Sequence, residues 1–234
     1  MNLHIHDHNA IMLTERDVAL LQWITRHGVV TAEHVAQRYF SGQSAAYRRL
    51  RKLIGLKLIR RDPTYYRAPF VIRVTAAGTR VAAVGVGPAA LVLAEVRHSL
   101  ALVDLTERLL AQHPGATLIT EREFRAAHLR LLREGRPEPC PRIPDGVLLL
   151  SPDEGKIRVA LELDLTPKRV YALTRVIEAY STAFNPTMGE ETGFGQVWWF
   201  VAGGAAERVR SLVHDKRADD FMIVREWRPP HETD

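Results

Sequence analysis

A chain of 234 residues with 46% hydrophobic and 25% charged residues has the composition of a folded globular protein, which excludes global disorder. Its single cysteine, Cys140, excludes an intrachain disulfide and a thiol-rich metal site. The formal net charge of +5 is unevenly spread: residues 1–88 hold 13 Lys+Arg against 5 Asp+Glu, and residues 89–234 hold 19 against 22. The whole basic excess sits in the first third, as expected of a segment that meets a polyanion.

No stretch approaches the ~18 uninterrupted apolar residues of a membrane span. The best, Val81 to Ala94, is broken by Gly85, Gly87 and Pro88. The first residues lack the basic start and apolar core of a signal peptide, so a cytoplasmic protein with no membrane partner is expected. His4, His6 and His8 alternate around Asp7 but read as a frayed terminus rather than a metal site.

The first helix opens at Thr14, with Asp17 at the reciprocal capping-box position, and runs through Val18, Leu21, Trp23 and Ile24 to Gly28. A second helix follows Thr31. A third starts near Ser41 or Ser44 and ends at Gly55. Leu56 to Arg61 and Tyr66 to Val74 read as two strands around a turn at Asp62-Pro63-Thr64-Tyr65, and a short helix spans 75–84. Gly85-Val86-Gly87-Pro88 is the expected domain boundary, giving domains 1–86 and 87–234.

The second part opens with a long amphipathic helix, about Ala89 to Gln112, whose Leu91, Val92, Val96, Leu100, Val103 and Leu110 suit burial against a second subunit. Ala116 to Thr120 is a strand and Glu121 to Glu134 a helix. Ile143 to Leu150 and Lys156 to Leu165 form a paired set of strands. Pro167 opens a helix to about Phe184. Gln196 to Ala202 is a buried strand, followed by a helix at 205–214 and a last strand from Phe221 to Trp227. The expected fold class is a two-domain α+β or α/β chain.

Three helices followed by a two-stranded wing is the order of a winged helix-turn-helix, whose third helix enters a major groove. Tyr47, Leu50, Leu53 and Ile54 are expected to pack inward, leaving Ser44, Arg48, Arg51 and Lys52 for DNA. From His34 to Arg61 the chain has no acidic residue, while Arg49, Lys57, Arg60 and Arg61 extend the basic field. Tyr65, Tyr66 and Arg67 are expected at the wing tip. These eleven residues form the expected interface with double-stranded DNA.

In the second domain Pro144-Asp145 precedes one strand and Glu162-Leu163-Asp164 ends the next. Strand alternation puts Glu162 and Asp164 on one face, and hard carboxylate oxygens suit Mg²⁺. This arrangement resembles the PD-(D/E)xK, or restriction-endonuclease-like, superfamily. Asp145 and Glu162 are the candidate metal ligands, and Asp145, Glu162, Asp164 and Lys168 the candidate catalytic set. Asp164 stands where the motif carries lysine, and Lys168 offers that charge from a displaced position; the departure counts against catalysis. Asp145 and Glu162 also suit structural pairing with Arg142, Arg158 or Arg169.

Over some 200 residues the chain resembles the replication-relaxation family of plasmids and other bacterial mobile elements. The likeness rests on Leu13-Thr14-Glu15-Arg16-Asp17, the basic third helix, Pro144-Asp145-Gly146, Glu162-Leu163-Asp164, the Tyr171–Arg175–Tyr180 helix and Val197-Trp198-Trp199-Phe200. The resemblance implies a winged-helix DNA binder fused to a nuclease-like domain, connected with plasmid replication or its control. The favoured expectation is a sequence-specific binder of double-stranded DNA that controls transcription or replication. It needs no cofactor, and an inactive nuclease-like domain joins two protomers. The alternative is a Mg²⁺-dependent endonuclease or nickase. Replication proteins or a relaxase are the further partners that such a role implies.

Overall fold

In the computed structural model, which describes residues 13–66, 68–135, 142–150, 157–184 and 193–229, Thr14 closes the first helix as its spacing requires. The Thr14 side chain accepts from the Asp17 backbone while the Asp17 carboxylate accepts from Thr14 N at 2.7 Å. Helix α1 (Glu15–His27) ends at Gly28, whose φ of 85° lies in the left-handed region that favours glycine. Next come β1 (Val30–Thr31), α2 (Ala32–Tyr39), α3 (Gln43–Gly55), β2 (Ile59–Asp62), β3 (Val71–Val74) and α4 (Ala76–Ala82).

The three strands form an antiparallel sheet in the order β1-β3-β2, with Val30 opposite Ile72 and Ile59 opposite Val74. Strand β1 is absent from the sequence expectation, since two residues carry no readable period. Strands β2 and β3 are shorter than their apolar patterns suggest. Leu20, Leu21 and Ile24 of α1, Val35 of α2, Ala46, Leu50 and Leu53 of α3, and Ile59 and Ile72 bury together as one core. Helix α4 closes on it through Gly78, where a Cβ would lie 2.1 Å from the Leu58 carbonyl oxygen, so only glycine permits this approach.

The chain divides into two compact units, Met1–Val103 and Asp104–Asp234. The first therefore takes in residues beyond Gly85-Pro88. Val96 buries with Val29 and Val71, with Leu91 and Leu100 packed alongside, and Arg73 Nη1 donates to the Ala89 carbonyl at 2.5 Å. Helix α5 (Val96–Gln112) is shorter than the expected 89–112 and follows a 3-10 turn at Leu93–Glu95. Part of the stripe expected to face another subunit is used within the chain: Val96 and Val103 are buried, while Val92 is exposed.

The second unit is built on β4 (Thr117–Thr120), α6 (Glu121–Arg133), β5 (Gly146–Leu150), β6 (Ile157–Asp164), α7 (Val170–Ala183), β7 (Gln196–Val201), α8 (Ala206–Asp215) and β8 (Met222–Glu226). The sheet order is β4-β5-β6-β7-β8; the first three strands are antiparallel, and β6, β7 and β8 run parallel. Val147, Ala160, Val197, Trp199 and Val201 share one core with Leu173, Val176, Ile177 and Tyr180 of α7 and Val209 and Val213 of α8. Trp198 and Trp199 are both buried, as expected of a central strand. Glu121 and Glu123 serve helix α6: Glu123 completes a capping box with Thr120, and Glu121 pairs with Arg125. The architecture is thus mixed α+β, with eight α-helices and two sheets among the described residues. None of the helices is long and apolar enough to cross a membrane.

Candidate nucleic-acid interface and carboxylate site

Helix α3 presents its cations because its apolar residues are committed to the core. Ala46, Leu50 and Leu53 are buried, which leaves Ser44, Arg48, Arg51 and Lys52 exposed. Lys57, Arg60, Arg61, Tyr65 and Tyr66 are exposed along the chain that follows. Arg67 and His4, His6 and His8 lie outside the described residues. Arg61 stacks over the exposed Phe70 ring at 3.6 Å from its centroid, a cation–π contact that fixes the guanidinium at the surface. The Tyr65 hydroxyl donates to the Leu93 carbonyl.

Three residues of α3 depart from expectation. Arg49 does not join the outward set: its guanidinium grips both carboxylate oxygens of Asp17, which is fully buried. Burial alone would raise the Asp17 pKa, but hydrogen bonds from Arg49 and Thr14 and the Arg49 charge hold it below the usual carboxylate value. Tyr47 and Ile54, expected to pack inward, are exposed instead, Tyr47 to 52%. Tyr47 precedes Leu50 by three residues and so sits about 60° round the helix from it, a difference that a pattern of residue types does not reveal.

A second acid of this unit, Asp62, is also neutralised. Asp62 is buried and accepts from Arg73 Nε at 2.9 Å and from Arg60 Nη2 at 2.6 Å. Burial again opposes ionisation, and the two arginines overcome it, so its pKa lies below the ordinary value. Asp17 and Asp62 therefore lie under the surface with their charge already answered.

The carboxylates of the second unit do come together. Glu162 lies opposite Trp199 in the β6–β7 ladder and Asp164 opposite Val201, both on the face that packs on α7. Asp145 enters from the start of β5, where its backbone N donates to Leu161 O at 3.0 Å and its Oδ2 accepts from Leu163 N at 2.7 Å. Every candidate is held by the protein itself. Glu162, only 1% exposed, receives Arg142 Nε on Oε1 at 2.7 Å and Arg142 Nη2 on Oε2 at 2.6 Å, and the Tyr180 hydroxyl donates to Oε1 at 2.5 Å. Asp164 accepts from the Trp199 indole at 3.1 Å and forms an ion pair with Lys168.

Burial raises the Glu162 pKa and the neighbouring Asp145 charge adds to it; Arg142 and Tyr180 pull in the other direction without cancelling it. Arg142 is itself desolvated, yet its bond to Glu162 makes it still more firmly cationic. A divalent cation needs free carboxylate oxygens in a hydrated or shared sphere. Here a guanidinium fork covers both oxygens of Glu162, and an ammonium and an indole cover Asp164. The residues do not fit a Mg²⁺ site, and among the described residues no group of three His, Cys, Asp or Glu is placed to hold a metal.

Of Arg142, Arg158 and Arg169, Glu162 uses Arg142. Tyr180 is buried in the core and its hydroxyl donates to Glu162. Tyr171, on the same helix, is 72% exposed. Residues 21–196 match the family described as replication-relaxation. No curated protein and no solved structure matches the chain.

Proposed function

Since the chain belongs to the replication-relaxation family, we propose that it binds double-stranded DNA through α3, as a winged helix-turn-helix, in the control of plasmid or mobile-element replication or transcription. The observation that carries this is the one-signed surface of Ser44, Arg48, Arg51 and Lys52, continued by Lys57, Arg60 and Arg61. A solvated helix ordinarily mixes charge signs. Here the sequence supplies no acid from His34 to Arg61, and Asp17 and Asp62 are buried against arginines. Exposed arginines on a helix that enters a major groove reach guanine edges in pairs of bonds, while lysines and the wing neutralise phosphates.

The second unit acts here without chemistry. Its nuclease-like carboxylates are closed by two sets of contacts: Tyr180 and Arg142 hold Glu162, tying β6 to α7, and Trp199 and Lys168 hold Asp164, tying β6 to β7. Titrating a labelled duplex with the wild type and with an Arg48→Ala, Arg51→Ala variant at fixed salt tests the assignment; equal affinities would remove α3 from the interface.

A further inference from the structure

A second cationic surface lies on the otherwise acidic half of the chain. Strands β6 and β7 run parallel with Asp164 opposite Val201, so the segments leaving them, 165–169 and 202–205, start side by side at one end of the sheet. Arg208, in α8 just after the second segment, donates from Nη2 to the Lys168 carbonyl of the first at 3.0 Å. Lys168 is neutralised by Asp164. Arg169, Arg175 and Arg208 are exposed and have no carboxylate partner among the described residues. One turn before Arg175, the Tyr171 ring stands 72% exposed with the Arg175 guanidinium 5.9 Å from its centroid. Nothing lies within 4 Å of where a Cβ on Gly203 or Gly204 would project, so the neighbouring segment leaves this surface open.

We infer that this surface binds single-stranded DNA, with Tyr171 stacking on an unpaired base and Arg169, Arg175 and Arg208 holding the phosphates on either side. An exposed cation–π contact adds little to the stability of the fold, so a ring left 72% exposed beside cations that have no carboxylate partner among the described residues is surface open to a ligand. A duplex is a poor match, because its bases are already stacked and offer only edges. Unpaired bases offer a π-face, and stacking on an aromatic side chain is tolerant of sequence. The surface lies in a different unit from α3, so the inference does not rest on the duplex-binding assignment.

The test uses the full chain carrying Arg48→Ala and Arg51→Ala, so that the α3 face contributes little. Fluorescence anisotropy with a short oligothymidylate should then report binding at this surface. Adding Tyr171→Ala should weaken it by roughly 5- to 150-fold, the range of one base–aromatic stack, while Tyr171→Phe should retain it. Arg175→Ala and Arg208→Ala should each flatten the dependence of log affinity on log salt by about 0.7. The substituted side chains are at the surface, so the fold should be unaffected, which circular dichroism verifies. Unchanged oligothymidylate affinity in Tyr171→Ala would overturn the inference. So would an equal loss for oligothymidylate and duplex, which would make the patch part of a general duplex-binding face. Duplex affinity insensitive to Arg48→Ala and Arg51→Ala would instead count against the α3 assignment alone.

Discussion

The Arg142 guanidinium covers both carboxylate oxygens of Glu162, at 2.7 and 2.6 Å, and leaves neither free for a metal. The Tyr180 hydroxyl completes the set at 2.5 Å. A carboxylate 1% exposed has no water to fall back on, so its charge depends on these two partners.

Arg142→Ala should therefore destabilise the second unit by about 3–5 kcal/mol, the usual cost of stranding a buried charge. Glu162→Gln in the same chain should recover much of that loss, since it removes the stranded charge while keeping a group that Tyr180 can reach. The pH dependence has a definite sign. Glu162 has a folded pKa above its ordinary 4.5, so its contribution is fully present below that value and is lost as pH rises through the folded pKa. Without Arg142 the loss should grow, making the variant more stable in mild acid than at neutral pH relative to wild type. Thermal melting across pH measures both effects, and a uniform loss at all pH values would contradict the assignment.

Divalent metal should do little to this protein. With Glu162 and Asp164 already paired, millimolar Mg²⁺ or Mn²⁺ should leave the melting temperature unchanged and supercoiled plasmid unnicked. A stabilisation or nicking activity that disappears in both Asp145→Ala and Glu162→Ala would restore the metal-dependent endonuclease.

The first unit responds to acid in the opposite direction. Asp17 and Asp62 have folded pKa values below their ordinary 3.8, so their contribution is present above that value and is lost as pH falls through the folded values. Melting of the full chain should show a loss of stability beginning below about pH 4, and Arg49→Ala should remove much of the Asp17 part of it. Because Arg49 belongs to this buried pair, Arg49→Ala should cost stability, about 3–5 kcal/mol, rather than DNA affinity. A normally stable Arg49→Ala protein with weakened DNA binding would place Arg49 outside, with Arg48 and Arg51.

Local features are the ones legible in the chain. The Thr14–Asp17 capping box, the helix before Gly28 and the alternation that puts Glu162 and Asp164 on one face all follow from neighbours a few residues apart. What stays hidden depends on residues distant in sequence. Arg49 looks like its neighbours Arg48 and Arg51 until Asp17, 32 positions away, is folded beneath it. The closed state of the carboxylate site likewise depends on Arg142 and Tyr180 arriving from 20 and 18 positions away. Tyr47 misleads for the complementary reason: an aromatic residue at helical spacing signals a core unless the fold leaves its face uncovered.

The most direct measurement is the salt dependence of duplex binding by the full chain, wild type against Arg48→Ala and Arg51→Ala. Bidentate base pairings are each worth ~1–3 kcal/mol, and removing one phosphate interaction lowers the slope of log affinity against log salt by about 0.9. A steep slope is expected for wild type, together with a variant that melts normally and binds at least about tenfold more weakly. A folded variant with the wild-type affinity and slope would contradict this, because the cationic face of α3 would then have no part in holding DNA.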